Sequence, residues 1–248
     1  MTIDLSNQVV AVTGASSGIG EATALGCARA GAAVALAARR SDRIQALAER
    51  IVGDGGRAIA VTTDVGEEVE ARAFVRRAHD ELGRLDVLVN NAGVMLLGPI
   101  ENAPTEEWRR MIHANVLGVL YCTHAALPLM RAQGGGHVVN VSSVAGRVAR
   151  AGSGVYNLTK FGIGAFSESL RQEGVAIGVR VTTIEPGAVS TELSGHNRPE
   201  VLEQIKQRFG GVELLEAEDI ANAILYAIAQ PAHVSINEVL VRPSGQVG

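Results

Sequence analysis

Aromatic side chains, cysteines and an excess of basic charge are all scarce or missing in this chain of 248 residues. Aromatic residues make up 3% of it, and 26 acidic residues against 22 basic ones leave a formal net charge of −4. Because the basic residues form no block, we do not expect nucleic acid as a partner. Cys27 and Cys122 have no metal-ligand spacing, so we expect no metal, and each lies among apolar residues. We interpret both as core residues of a protein from a reducing compartment.

A long hydrophobic run is also missing. No stretch approaches the roughly 18 uninterrupted apolar residues that a membrane span needs. The first 14 residues place no basic region before their apolar run. We therefore expect a cytoplasmic protein with no membrane partner. The apolar fraction of 47% is that of an ordinary globular protein and is too high for a disordered chain.

Two hydrophobic periods alternate along the chain. Short β-branched or apolar runs predict strands at 9–13, 33–37, 58–62, 87–90, 137–141, 180–184 and 239–241. Helical periods between them predict helices at 18–30, 41–52, 68–82, 105–131, 155–173 and 218–229. Strands that are apolar on both faces and separated by helices are typical of a parallel sheet covered on both sides. We therefore predict an α/β fold over residues 1–248: a single-domain, doubly wound, Rossmann-type parallel sheet of about seven strands with helices on both faces.

One segment, at about 187–211, departs from this alternation. Its periodicity is weak, and turn-forming residues such as Gly195, Asn197 and Pro199 are frequent in it. Proteins of the α/β class place ligands beyond the carboxyl ends of their strands. We therefore interpret this segment as a mobile flap over a substrate.

A glycine-rich turn follows the first predicted strand and opens the first predicted helix. Residues 13–20 read Thr-Gly-Ala-Ser-Ser-Gly-Ile-Gly. Glycines let a backbone approach a pyrophosphate, and the free N–H groups of a helix start favour its negative charge. The turn lacks the lysine of a Walker-type loop. The alternative is a tight connection in which Ser16 or Ser17 caps the helix. The residues of the turn that we predict to bind a cofactor are Gly14, Ser16, Ser17, Gly18, Ile19 and Gly20.

The end of the second predicted strand indicates which nucleotide is bound. A cofactor without a 2′-phosphate usually meets an acidic residue there, but this chain has Ala38, followed by Arg39 and Arg40. Guanidinium groups bind phosphate through paired hydrogen bonds. We therefore predict that Arg39 and Arg40 recognise the 2′-phosphate of NADP(H). The alternative is two solvated arginines at the start of a surface helix.

Two further groups follow the third and fourth predicted strands. Asp64, beside Val65, is suited to accept a hydrogen bond from an adenine amine, and Ala92 and Gly93, after Asn91, leave room for a ribose. We predict that all five residues contact the cofactor. A helix cap at Asp64 and an ordinary turn at the asparagines are the simpler alternatives.

Candidate catalytic residues lie in the second half of the chain. Tyr156 and Lys160 are spaced i, i+4 at the start of a predicted helix, which puts them on one face, although a surface pair has the same spacing. A phenol has a usual pKa of about 10, and a nearby ammonium lowers it. The Ser143 hydroxyl, after the fifth predicted strand, is suited to hold a carbonyl oxygen that gains negative charge. Asn115 lies mid-helix against its propensity, which indicates either a polar task or a bond to a buried carbonyl.

In this order and spacing, these motifs resemble those of the short-chain dehydrogenase/reductase family over nearly the whole chain. The residues that carry the resemblance are Thr13 to Gly20, Asn90-Asn91-Ala92-Gly93, Asn115, Ser143, Tyr156, Lys160 and Pro186-Gly187 with Thr191. Segments 95–99 and 238–243 are also similar to those of bacterial NADP-dependent carbonyl reductases, a group that includes clavulanic aldehyde reductase and 3-hydroxy acid dehydrogenases.

The resemblance implies a role for each catalytic residue. Tyr156 is expected to be the general acid in carbonyl reduction and the general base in alcohol oxidation, while Ser143 orients the substrate oxygen. Lys160 is expected to bind the nicotinamide ribose and to lower the pKa of Tyr156. Asn115 is expected to hold a water molecule that links Lys160 to solvent. The residues expected to border the nicotinamide are Pro186, Gly187, Val189 and Thr191.

The function that the resemblance implies is that of an NADP(H)-dependent oxidoreductase which interconverts a ketone or aldehyde with an alcohol. A homotetramer or homodimer paired through the helices at 105–131 and 155–173 is also implied. A sugar-nucleotide epimerase or dehydratase on the same fold and a non-catalytic NADP(H)-sensing module are the alternative functions.

The side chains expected to contact the substrate are Ser143, Tyr156, Met95, Val144 and Leu193. Their mostly apolar character favours a small or medium carbonyl compound with an apolar part. Arg147 and Arg150 could instead recruit a carboxylate, and the alternative is that both merely point to solvent.

Overall fold

A computed structural model describes residues 3–247, so residues 1, 2 and 248 of the predicted domain lie outside the described residues. The strands are β1 (Val9–Thr13), β2 (Ala33–Ala38), β3 (Arg57–Thr62), β4 (Val87–Asn90), β5 (Gly136–Val141), β6 (Val179–Pro186) and β7 (Glu238–Val241). The described residues join them into one seven-stranded parallel sheet, ordered β3-β2-β1-β4-β5-β6-β7. The predicted fold class is therefore confirmed.

Helices cover both faces of this sheet. They are α1 (Gly18–Arg29), α2 (Ser41–Gly53), α3 (Glu68–Leu82), α4 (Thr105–Ile112), α5 (Gly118–Ala132), α6 (Gly154–Gly174), α7 (Pro199–Phe209) and α8 (Ala217–Ile228). The first and last residues of every predicted helix lie within one residue of the observed ends, with α4 to α5 taken as one stretch. Those of every predicted strand lie within two residues. Helix α7 was not predicted.

The first strand shows why these strands are apolar throughout. Val10 and Val12 belong to one core cluster together with Ile224 of α8, whereas Ala11 between them belongs to a second cluster with Phe74 of α3. Successive side chains of a strand point to opposite faces. A strand that is covered by helices on both faces therefore needs apolar residues at every position.

The strand order fixes where a ligand can bind. β1 pairs with β2 on one side and with β4 on the other. The chain winds outward in opposite directions from this point, which opens a crevice beyond the carboxyl ends of the two central strands. The glycine-rich turn after β1 and residues 90–93 at the end of β4 meet at this crevice.

The helix predicted at 105–131 is a continuous helical stretch with an altered middle. Between α4 and α5 lies a π-helical turn, His113–Leu117. Such turns interrupt α-helices at positions that are frequently functional. Here the turn contains Asn115, whose side chain it holds in the buried interior.

Among residues 3–247, one helical stretch, Thr105–Ala132, is long and apolar enough to cross a membrane by length and composition alone. Cys122, Ala126 and Met130 on this stretch are buried in the core beneath the sheet. A core helix of a soluble protein passes the same test, so this stretch is weak evidence for a membrane span.

The predicted flap is more regular than the sequence analysis expected. A 3₁₀ turn, Glu192–His196, is followed by the three-turn helix α7. Its signal is present in the sequence: Pro199 occupies the first helical position, and Val201, Ile205 and Phe209 repeat every four residues. The prediction of weak periodicity was wrong on this point, because polar residues dominate the other faces of this short helix.

Both cysteines are free and buried, as predicted. Burial raises the pKa of each thiol to about 12. Neither thiol therefore forms a thiolate at neutral pH, which agrees with a packing role.

Candidate active site

A cavity of about 870 Å³ opens at the crevice between the central strands. Its lining comes from the glycine turn, the end of β2, the segments after β4, β5 and β6, the start of α6, and α7. Four predicted site residues do not line it, namely Gly20, Asp64, Val65 and Asn115, and all the others do.

The glycine turn is packed tightly against the segment after β4. A Cβ on Gly20 would lie 2.3 Å from the Gly14 carbonyl oxygen, and one on Gly14 would lie 2.8 Å from Cα of Ala92. Gly14 also has a φ of +66°, which disfavours side chains. Glycine at position 20 therefore lets α1 pack against the turn, and glycine at position 14 lets the turn pack against Ala92.

Asn91 braces this turn. Its side-chain amide donates to the carbonyls of Thr13 and Gly14 at 2.9 and 3.2 Å, and its main-chain N–H donates to the Thr13 hydroxyl at 3.0 Å. The amide thus ties the end of β4 to the end of β1. These contacts are more specific than the ordinary turn considered as the alternative.

Ser16 and Ser17 contact Arg40 rather than the start of α1. Ser17 occupies the N-cap position, but its side chain makes no capping hydrogen bond. The Arg40 guanidinium instead donates to the Ser17 hydroxyl at 2.6 Å and to the Ser16 hydroxyl at 2.9 and 3.0 Å. Arg40 therefore lies along the glycine turn, where the solvated-surface alternative would not put it.

The two arginines after β2 differ in their surroundings. Arg40 also forms an ion pair with Glu192 of the flap at 2.7 Å, and Glu192 reaches Arg43 at 2.8 Å. Hydrogen bonds from these two arginines lower the pKa of Glu192 to about 2, so it is a carboxylate at neutral pH. Arg39 has a mostly exposed side chain, 4.0 Å from Asp64. Both Arg39 and Arg40 line the cavity.

The groups predicted around the adenine lie differently from the expectation. The Asp64 carboxylate accepts from the Gly66 N–H at 3.0 Å and lies 3.4 Å from Nε2 of His113. Val65 is buried, and a Cβ on Gly118 of α5 would lie 2.6 Å from it. Asp64 thus supports the local turn, close to the capping role considered as the alternative, and Val65 packs in the core.

Tyr156 and Lys160 meet Ser143 at the centre of the cavity. Tyr156 and Lys160 lie one turn apart on α6, with Nζ of Lys160 5.8 Å from the centre of the phenol ring. Lys160 donates to the Val141 carbonyl at 2.8 Å, which holds it against the end of β5. Ser143 follows that strand, and its hydroxyl interacts closely enough with the Tyr156 phenol to lower the pKa of the phenol. Three polar side chains therefore converge where an apolar core would otherwise continue.

Burial shifts the pKa values of both Tyr156 and Lys160. It raises the pKa of Tyr156 to about 12, against a smaller lowering by the hydrogen bond with Ser143, and it lowers the pKa of Lys160 to about 8. Burial is thus the larger influence on Tyr156, and the predicted lowering of its pKa by Lys160 stays a prediction. Tyr156 is accordingly a protonated phenol at neutral pH.

Asn115 supports the cavity from behind. Its Oδ1 accepts from the Val94 N–H at 2.7 Å, and its Nδ2 donates to the Val94 carbonyl at 2.9 Å and to the Thr159 hydroxyl at 3.2 Å. The side chain therefore joins the segment after β4 to α6, as in the buried-carbonyl alternative. Its predicted water-holding role stays a prediction.

The segment after β6 closes the opposite wall. Pro186, Gly187, Val189 and Thr191 all line the cavity. Gly187 donates its N–H to the Val241 carbonyl of β7 at 2.7 Å, and the Thr191 methyl would lie 3.0 Å from a Cβ on Gly18. The start of the flap therefore contacts the glycine turn directly.

The other end of the cavity is largely apolar. Met95, Val144 and Leu193 line it, as predicted, and so do residues that were not predicted: Leu97, Val201, Ile205, Phe209 and Leu214. The four-residue repeat of α7 would have indicated three of these. Asn157, also missed, donates to the carbonyls of Ala145 and Val148 at 2.7 and 3.0 Å and so fixes the loop after Ser143 to α6.

The two arginines considered for a carboxylate are separated by the structure. Arg147 forms paired hydrogen bonds with Glu185, at 2.8 and 2.6 Å, and also contacts Glu238. It does not line the cavity, so the suggestion that it recruits a substrate carboxylate was wrong. Arg150 does line the cavity. Within residues 3–247, no group of three His, Cys, Asp or Glu side chains is arranged to hold a metal ion.

Comparisons with known proteins agree with this geometry. A sequence profile of the family described as short chain dehydrogenase matches residues 8–202. An uncharacterized oxidoreductase of Staphylococcus saprophyticus is 41% identical over 247 residues, which are 98% of this chain and 98% of that protein. Glycine betaine reductase ATRR of Emericella nidulans is 43% identical over 242 residues, which are 96% of this chain but only 19% of that much longer protein.

Two solved structures are similar along the whole chain. The closed form of a serine dehydrogenase complexed with NADP⁺ has 33% sequence identity and a TM-score of 0.90, covering 97% of each chain. An alcohol dehydrogenase from the archaeon Thermococcus sibiricus, complexed with 5-hydroxy-NADP, has 30% identity and a TM-score of 0.87. It covers 97% of this chain and 98% of that one.

Proposed function

This chain belongs to the short-chain dehydrogenase family, and from that premise we propose that it is an NADP(H)-dependent oxidoreductase which interconverts a carbonyl compound and an alcohol. The observation that carries the proposal is the convergence of Tyr156, Ser143 and Lys160 in a cavity that also contains the glycine turn. The family supplies the reaction class, and the site supplies a proton donor beside a second hydroxyl.

The residues around the glycine turn fit a phosphorylated dinucleotide. Gly14 and Gly18 line the cavity, and α1 begins at Gly18, where the free N–H groups of its first turn favour a pyrophosphate. Arg39 and Arg40 provide positive charge next to the turn, with Ala38 in place of an acidic residue. When bound, the cofactor supplies or accepts a hydride. The NADP(H) named in both similar structures favours the same cofactor here.

Tyr156 would act as the proton donor in carbonyl reduction. With a pKa of about 12 it holds its proton at neutral pH until the carbonyl oxygen becomes basic as it gains negative charge. Ser143 lies on the same side of the cavity and would donate a hydrogen bond to that oxygen. In alcohol oxidation the proton would move in the opposite direction.

Lys160 would stabilise the site after Tyr156 has lost its proton. Its pKa of about 8 keeps it mostly an ammonium at neutral pH, and its bond to the Val141 carbonyl fixes its position one turn from the phenol. A positive charge there lowers the free energy of a phenolate more than that of a phenol. The same ammonium is suited to donate to ribose hydroxyls.

We also propose that residues 1–248 act as one domain and that copies of the chain pair through α4–α5 and α6. Leu158 and Phe161 are 63% and 43% exposed on α6, in keeping with an apolar face that a second copy covers. Light scattering should give four or two times the mass of 25.8 kDa, whereas a stable monomer would overturn this part. The expected cytoplasmic location stays a prediction.

The proposed reaction is tested by nicotinamide absorbance. Purified protein is mixed with NADPH, and separately with NADH, against a panel of aldehydes, ketones and 3-oxo acids. Consumption of NADPH by at least one panel member, with much slower consumption of NADH, supports both reaction class and cofactor. Equal consumption of NADH would overturn the predicted preference for NADP(H). NADPH binding without any consumption would overturn the reductase assignment in favour of a sensing module.

A further inference from the structure

Two arginines on different elements line the same cavity as Tyr156. Arg150 lies in the loop that follows Ser143, and its main-chain N–H donates to Oδ1 of Asn157 at 3.2 Å. Because Asn157 is next to Tyr156 on α6, this contact fixes Arg150 close to the proposed proton donor. Arg208 lies on α7 of the flap and lines the same cavity.

Neither guanidinium has an acidic partner among residues 3–247. Other arginines nearby do: Arg147 is bound to Glu185, and Arg198 lies 3.6 Å from Glu107 and 3.7 Å from Glu200. The acidic residue of the cavity lining is Glu192, which Arg40 and Arg43 hold at the cofactor end. Within residues 3–247, the positive charges of Arg150 and Arg208 are therefore not neutralised by an acidic side chain.

The two positive charges also act on each other. Partial burial, and next the charge of Arg150, lower the pKa of Arg208 from its usual value. Arg208 additionally lies over the Phe209 ring, 5.1 Å from its centre. A single anionic group between the two guanidiniums would relieve this repulsion and accept paired hydrogen bonds.

We propose that Arg150 and Arg208 form a subsite for a carboxylate, so that the substrate is a short oxo acid or hydroxy acid whose carboxylate lies away from the reacting carbon. Apolar residues of the same lining, among them Val148 and Ile205, would contact the carbon chain of the substrate. The substrate class rests on the proposed function, whereas the subsite itself can be tested without turnover.

The binding test uses butanoate and its neutral amide, butanamide, as unreactive probes with NADPH present. Ligand-observed NMR should give a dissociation constant for butanoate at least about fivefold below that for butanamide, since hydrogen bonds between a guanidinium and a carboxylate are stronger than those to a neutral amide. In the variant R150Q/R208Q, the dissociation constants of butanoate and butanamide should become similar. The control R50Q/R76Q removes the same charge from the surface outside the cavity and should keep the preference. Equal binding of the two probes to wild type, or an unchanged preference in R150Q/R208Q, overturns the subsite.

The kinetic test compares 4-oxobutanoate with butanal as substrates for NADPH oxidation. Wild type should have the higher kcat/KM for the oxo acid, and the ratio of the two values should fall at least about tenfold in R150Q/R208Q, mainly through KM. Comparable kcat/KM values in wild type would overturn the inference and leave the proposed reaction standing. Butanoate binding that depends on the two arginines, with no oxidation of NADPH by either compound, would support the subsite and count against the proposed reaction.

Discussion

The guanidinium of Arg40 lies 2.7 Å from the carboxylate of Glu192, and this ion pair joins the end of β2 to the flap across the mouth of the cavity. The same guanidinium contacts both serines of the glycine turn. A 2′-phosphate bound by Arg40 would therefore face a carboxylate that already occupies one side of that guanidinium. Glu192 and the phosphate are expected to compete for Arg40.

Removing the Glu192 charge should strengthen NADPH binding. We expect E192Q to lower the dissociation constant of NADPH about two- to fivefold, in line with the modest energies of exposed ion pairs, and to change that of NADH less. Fluorescence titration with both nucleotides measures this. E203Q removes a carboxylate from α7, outside the cavity lining, and serves as the control. An unchanged or weakened affinity for NADPH in E192Q would argue against the competition.

Removing both arginines that follow β2 should weaken the binding of NADPH more than that of NADH. R39A/R40A is expected to weaken NADPH at least about tenfold more than NADH, because two charge-assisted contacts to the 2′-phosphate are lost. R43A is the matched control, since Arg43 shares Glu192 but does not line the cavity. Equal losses for the two nucleotides would show that Arg39 and Arg40 do not recognise the phosphate.

Arg147 should matter for stability through Glu185. The Glu185 side chain is 6% exposed and is held by paired bonds from Arg147. In R147M a nearly buried carboxylate loses its partner, so the free energy of unfolding should fall by about 2–3 kcal/mol. Denaturant unfolding measures the change. R171M breaks an exposed pair with Glu168 and should lower the free energy of unfolding clearly less than R147M does. Similar losses in both variants would contradict the account.

His137 should make stability depend on pH. Burial, and next the charge of Arg180, lower its pKa to about 3, against about 6.5 in the unfolded chain. Its Nε2 lies 2.7 Å from the Thr182 hydroxyl, which itself donates to the Ile236 carbonyl. Nε2 must therefore carry a hydrogen, and His137 is neutral in the folded protein.

The direction of the pH effect follows from proton uptake. Between pH 6.5 and 3 the unfolded chain binds a proton at His137 that the folded chain does not, so stability is complete above pH 6.5 and is lost as the pH falls. The free energy of unfolding should decrease by up to about 1.4 kcal/mol per pH unit from this group. H137Q should lose this slope between pH 6.5 and 5, above the range in which carboxylates contribute. The same slope in both proteins would rule out His137 as its source.

The sequence predicted the sheet well, for identifiable reasons. Runs such as 9–13 and 87–90 are apolar on both faces, which only a doubly covered strand requires. Gly14 and Gly20 follow β1 at positions where a Cβ would collide with neighbouring backbone. These constraints are local, so they are visible in a single sequence.

Side-chain direction could not be predicted in the same way. Asp64 follows β3 as expected, but its carboxylate contacts Gly66 and His113 and is not part of the cavity lining. Arg147 and Arg150 look equivalent in the sequence, and only the position of Glu185 on the neighbouring β6 separates them. Such outcomes depend on contacts between elements that are distant in the chain.

The central claim, that Tyr156 transfers the proton, is tested most directly by Y156F. Single-turnover oxidation of NADPH is measured with the panel compound that wild type reduces fastest, and NADPH binding is measured in parallel. We expect the rate to fall at least about 100-fold, with the dissociation constant of NADPH within about twofold of wild type. Y226F, which removes a phenol hydroxyl outside the cavity lining, should leave both unchanged. A Y156F rate close to that of wild type would contradict the account.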